Sequence, residues 1–181
     1  MNFRLLLCGM IATVNGLAYG MELEESLKGR YLYSQWECLT VTNYSHVVTN
    51  WSLPALTLPT NGLPISACCF DEGDDVELIV QTADDTLFRI STWARPSVRA
   101  AHLAVIQDFS RMTSLLRFTQ VSNFIGDVSF YQNYGSSGDC LVFTRNNVFV
   151  RVDSRLPSHS STNIARQIDA SILRASGVEV E

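Results

Sequence analysis

The run Asp139–Ser154, Asp-Cys-Leu-Val-Phe-Thr-Arg-Asn-Asn-Val-Phe-Val-Arg-Val-Asp-Ser, constrains the fold more than any other stretch. Two β-rich arms flank Asn146-Asn147, and a two-residue loop needs positive φ at both positions, which Asn tolerates better than any residue but Gly. That turn sets Arg145 against Val148, Phe143 against Val150 and Leu141 against Val152. Leu141, Phe143, Val148, Val150 and Val152 then share one face, the expected core face. Cys140, Val142, Thr144, Phe149, Arg151 and Asp153 share the other, a mixture that suits a half-covered surface.

From Ile65 the chain runs the same plan twice. Sliding it by about sixty residues lays Val76–Thr92 over Gly138–Ser154 without a gap, as read from the sequence and its repeat period. Thr82 falls on Thr144, Arg89 on Arg151, and Asp84-Asp85 on Asn146-Asn147, both turn formers. A further strand precedes each hairpin, Ile65–Phe70 and Gly126–Tyr131. An amphipathic helix follows each. Val98, Ala101, Val105, Phe109 and Met112 recur at helical spacing after Pro96, and Ile164, Ile168 and Ile172 do so after Ser160, Ser161 and Thr162. The expected architecture is α+β, an antiparallel curved sheet with the two helices covering one face, built as a duplicated strand-strand-strand-helix unit.

Residues 1–20 read as a signal peptide cleaved after Gly20: Arg4 is the positive region, Leu5–Val14 the apolar run, and Ala18-Tyr19-Gly20 supplies small residues at the cleavage site. Residues 21–64 read as an N-terminal extension and Pro-rich connector packed on the domain, and 65–181 as the α+β domain. Within the extension, Met21–Lys28 reads as one or two helical turns ended by Gly29, and Arg30–Thr42 as extended structure with Tyr31, Tyr33 and Trp36. Pro54, Pro59, Asn61-Gly62 and Pro64 keep the connector irregular. No second transmembrane candidate follows the leader. A net charge of −5 with a single lysine, Lys28, and no basic stripe argues against nucleic acid as a partner. The expected localisation is secreted or periplasmic.

In an exported chain Cys38, Cys68, Cys69 and Cys140 are disulfide candidates. Neighbouring Cys68 and Cys69 would each reach a distant partner, Cys38 or Cys140; buried thiols are the alternative reading. His46, His102 and His159 sit on different segments without ligand spacing, and His102 fits a core or boundary position, so no metal and no cofactor are expected. Asp71-Glu72-Gly73-Asp74-Asp75 lacks the register of a calcium loop. Gly135-Ser136-Ser137-Gly138 reads as a flexible linker rather than a nucleophile elbow, and no catalytic residue is assigned.

Arg89 and Arg151 form the candidate site. Each lies on the less apolar hairpin face, opposite Val80 and Val142, with Thr82 and Thr144 on the same face. If the hairpins share one sheet, the two guanidinium groups converge over a groove and bind a carboxylate or phosphate. The alternative is that each pairs with a local acid such as Asp153.

Cys140-Leu-Val-Phe-Thr-Arg-Asn-Asn-Val-Phe-Val-Arg-Val, followed by Ile164-Ala165-Arg166-Gln167-Ile168, resembles the end of the extracellular sensor domain of bacterial serine/threonine kinases and related exported proteins. The resemblance covers about the last quarter of the chain. It implies an α+β, disulfide-linked fold with a ligand cleft. The reading that follows is an exported, non-enzymatic domain that binds a small molecule, an envelope component or a protein partner. The alternatives are a secreted hydrolase with a scattered site and a purely structural envelope protein.

Overall fold

The computed structural model describes residues 21–38, 47–49, 51–59, 64–72, 75–112, 118–156 and 160–177. Seven strands form one antiparallel sheet: β1 Ser66–Glu72, β2 Asp75–Gln81, β3 Thr86–Ala94, β4 Thr119–Val121, β5 Val128–Asn133, β6 Asp139–Arg145 and β7 Val148–Ser154. Their order is β1-β2-β3-β7-β6-β5-β4, so the sheet is open and its centre is the β3–β7 pair. Among the described residues four α-helices accompany it: α1 over 21–30, α2 Tyr33–Cys38, α3 Val98–Ser110 and α4 Ser160–Ala175.

The α+β class, the antiparallel sheet and the central hairpin agree with the sequence reading. Arg145 faces Val148, Phe143 faces Val150 and Leu141 faces Val152. The two units follow the same order. A shift of 62 residues carries Ser66 to Val128, Thr86 to Val148 and Val98 to Ser160, the first residues of β5, β7 and α4, while β2 and β6 begin 64 residues apart, at Asp75 and Asp139.

The two helices do not share one face, contrary to the sequence expectation. Leu141, Phe143, Val148, Val150 and Val152 pack with Ile164, Ile168 and Ile172 of α4. Cys140, Val142 and Phe149, which point the other way, pack with Val105, Ile106 and Phe109 of α3. The helices therefore cover opposite faces. The physical reason is that β6 and β7 are apolar on both sides, so each side must exclude water. The face read as half-covered is buried as well.

The extension also differs from expectation. Arg30–Thr42 was read as extended, yet residues 33–38 are helical, α1 runs through Gly29 to 30, and Leu32 takes φ 53° between the two helices. Leu27 with Tyr31 and Tyr33 with Trp36 are helical spacings, and strand propensity of aromatics is mostly a preference for half-buried surface. These side chains are buried against α3 and β5. Trp36 Nε1 donates to the Tyr31 carbonyl at 2.6 Å, and the Tyr31 ring meets Phe130 edge-on at 5.0 Å. On the α4 face, Trp51, Leu53, Leu56 and Leu58 of the connector join the core, and Trp51 Nε1 donates to Ser171 Oγ.

Asn147 ties these parts together. Its amide oxygen accepts from Val48 N at 2.7 Å, while its nitrogen donates to the carbonyls of Arg95 and Val48. Only Asn146 of the pair has positive φ, 53°, not both as expected.

Candidate functional site

Arg89 sits near the middle of β3 and Arg151 in β7. Arg89 pairs across the sheet with Asp153, and Ser91 with Arg151. The two arginines are thus diagonal neighbours on one face, about 7–8 Å apart at the backbone. The sequence put Arg89 opposite Val80, but it faces Ile79. A register shift at Val80/Gln81 lengthens the β2–β3 connection, and it keeps Val80 in the α4-side core while Arg89 turns to the α3 side.

A cavity of about 650 Å³ opens there, lined by Arg89, Arg151, Asp153, Arg155, Tyr134 and Ser137 together with residues at the ends of β3 and β7. Its far wall is the 3₁₀ turn Gly135–Ser137. The sequence read this segment as a flexible linker. Instead Gly135 and Gly138 take φ 69° and 107°, and a Cβ on Gly138 would lie 1.9 Å from the Ser154 carbonyl oxygen. Only glycine lets the turn lie so close to β7, and that approach holds Tyr134 and Ser137 over the arginines.

The arginines are not equivalent. Arg151 donates through Nε and Nη2 to both oxygens of Asp153, at 2.6 and 3.0 Å, and through Nη1 to Asp108 of α3 at 3.2 Å. Burial pushes the Asp108 carboxyl above its ordinary range, and Arg151 opposes that shift. Arg89 pairs with Glu77, its Nε 3.2 Å from the carboxylate, and its side chain is 55% exposed. Its side chain also lines the cavity. Tyr134 is pushed up to about 12 by burial and by the nearby Cys140 and Asp153, against the pull of Arg151 and Arg155. The phenol therefore keeps its proton and serves as a donor.

Three arginines and one carboxylate line the cavity, in a chain whose net charge is negative. Such an arrangement attracts an anion, and guanidinium forks match carboxylate and phosphate oxygens two at a time.

Neither threonine expected beside the arginines lines the cavity, although Thr144 shares the face of Arg151. Thr82 closes the β2–β3 connection, its Oγ1 accepting from Asp84 and Asp85 N. Thr144 is buried beneath α3, its Oγ1 without a partner among the described residues. The cavity also takes Tyr134, Ser137 and Arg155, which sequence spacing does not point to; Gly135 and Gly138 flanking two serines are the signal for the tight turn that brings the first two.

The expected bridging of Cys68 and Cys69 to distant cysteines is not found: Cys68, Cys69 and Cys140 are free thiols. Cys68 and Cys69 lie on β1 and Cys140 on β6, four strand spacings or about 19 Å away, far beyond disulfide reach. Burial raises the Cys140 thiol well above its usual pKa. The Cys38 side chain lies outside the described residues, as do His46 and His159. His102 is fully buried on α3, its ring 5.0 Å from that of Trp36, and burial lowers its pKa to about 4. Among the described residues no group of three His, Cys, Asp or Glu side chains is arranged to hold a metal, and no helix is long and apolar enough to cross a membrane.

The fold and cavity define an open-sheet α+β domain with an arginine-lined cleft at its central strand pair. No protein-family model matches the chain, and no curated protein matches it.

Proposed function

We propose that this chain is an exported, non-enzymatic binding domain whose cleft takes the carboxylate or phosphate group of a small molecule. The observation that carries this reading is the union of Arg89 and Arg151 in one cavity, with Arg155, Tyr134 and Ser137 opposite. Arg89 Nη1 and Nη2 supply the fork, Arg155 a second cation, and the protonated Tyr134 phenol a neutral donor. Arg151 is committed to Asp153 and Asp108 and acts as the fixed floor. Asp153 spends both carboxylate oxygens on Arg151, so it serves as a counter-ion rather than a base. Export rests on Arg4, the apolar run Leu5–Val14 and the small residues before Met21. The resemblance to extracellular sensor domains points the same way.

Calorimetric titration with phosphate, sulfate, succinate and citrate tests the cleft. Binding of at least one of these anions is expected, weakened tenfold or more by Arg89→Gln and by added salt. No heat from any of them, or equal affinity in the variant, overturns the reading.

A further inference from the structure

The two edges of the sheet are built differently. β4 is three residues long, whereas β1 runs seven residues, Ser66–Glu72, all exposed. Phe70 is 53% exposed. Unpaired edge N–H and C=O groups form a template for another strand, and proteins normally blunt such edges with Lys, Pro, a bulge or a cover. Ser66–Phe70 carries neither Lys nor Pro, and its pairing with β2 is free of register shifts.

We propose that β1 pairs antiparallel with β1 of a second copy of this chain, about a two-fold axis through Cys69. The register follows from the hairpin. Glu72 faces Asp75 across a two-residue connection, and such a closing pair exchanges its backbone hydrogen bonds. Alternation then turns the backbone groups of Phe70 and Cys68 towards β2 and those of Cys69 and Ala67 outwards. Outward residues must meet outward residues, so a symmetric register centres on one residue, not between two. Centring on Cys69 alone pairs all seven positions.

Self-pairing also suits the charges. The Cys69-centred register sets Glu72 against Ser66 and Asp71 against Ala67, which keeps the two acidic ends apart. A parallel partner copy would align them. On the face shared with Ile79, Phe70 meets Cys68 of the second copy and is covered by it. A contact this narrow gives a reversible, concentration-dependent dimer.

Sedimentation of the purified chain under reducing conditions, from low to high micromolar, tests the pairing. The apparent mass is expected to double across the range. Ala67→Pro removes an outward N–H without touching the β1–β2 ladder, so it gives a monomer with an unchanged circular dichroism spectrum. Should that variant unfold, Phe70→Lys reads the same contact and weakens dimerisation tenfold or more. Oxidised glutathione tests the register, because a hydrogen-bonded cross-strand pair has the spacing of a disulfide. The two facing Cys69 thiols lose two protons and two electrons to one glutathione disulfide, which leaves as two glutathione thiols, and a Cys69–Cys69 bond forms. A covalent dimer is expected in the unaltered chain and in Cys68→Ser, and none in Cys69→Ser. A monomer at every concentration, a dimer unchanged in folded Ala67→Pro or in Phe70→Lys, or cross-linking through Cys68 overturns the proposal.

Discussion

The half of the sheet made by β1–β3 and the half made by β5–β7 follow one plan and are finished in opposite ways. In β6 all but Arg145 are buried, and β7 alternates only at Arg151 and Asp153. In β1 every residue is exposed, and in β2 only Val80 is buried. The difference arises because α3, which follows β3 in the chain, packs on β6 and β7 rather than on its own unit, and α4 takes their other face. One half becomes core on both sides, and the other keeps a bare face. The arginines repeat the contrast. Arg151 has Asp153 two residues on, while the position equivalent to Asp153 in the first half is Ser91, so Arg89 has no clamp on its own strand. The repeated framework thus holds one arginine clamped by two carboxylates and one in a single, more exposed pair.

The contrast is broken most directly by truncating aromatics. Phe149→Ala, beneath α3 and stacked on Trp93 at 4.3 Å, is expected to cost about 3–5 kcal/mol in urea unfolding. Phe70→Ala on β1 should change stability by less than about 0.5 kcal/mol in dilute solution. Equal costs would mean that the halves are not differently covered. Next, Arg151→Gln strands Asp153 and the buried Asp108, and a loss of about 3 kcal/mol is expected. Arg89→Gln breaks only an exposed pair and should stay within about 0.5 kcal/mol.

Acid sharpens the comparison on the α3 side. His102 is neutral in the fold, with its pKa lowered from 6.5 to about 4 by burial. Below pH 6.5 the unfolded chain takes up a proton that the folded one refuses, so stability falls as pH drops from 6.5 towards 4. The expected loss reaches about 3 kcal/mol, and His102→Leu flattens the slope. The carboxylates and arginine packed near α3, Asp108, Asp153 and Arg151, are unaltered in that variant, so they contribute equally to both curves. A slope unchanged in His102→Leu would contradict the assignment to His102, because a carboxyl raised by burial, as Asp108 is, gains relative stability in acid rather than losing it.

Period-two patterning and turn chemistry made β1–β3 and β5–β7, the β6–β7 register and the shared face of the arginines legible in sequence, whereas the three-residue β4 carries too short a pattern to show. The side taken by α3 was not, because helical spacing says that a helix has an apolar face and nothing about which sheet face receives it. The register shift at Val80/Gln81 was hidden too, since Asp84-Asp85 looks like a two-residue turn. Tyr134 comes to the cavity through the close approach of Gly138 to Ser154, a tertiary contact with no local signature beyond the glycine itself, while Arg155 is placed by its backbone bond to Leu87 at the end of β7. The cysteines misled because composition suggests a redox compartment but not strand order.

In the proposed cleft Arg89 is the fork open to a ligand and Arg151 the one fixed by Asp153. Nitrogen-detected NMR of the arginine Nε groups, followed while phosphate or citrate is added, tests this directly. The Arg89 resonance is expected to shift progressively to saturation while that of Arg151, held by Asp153, stays in place. A stationary Arg89 signal, or a shift confined to Arg151, would contradict it.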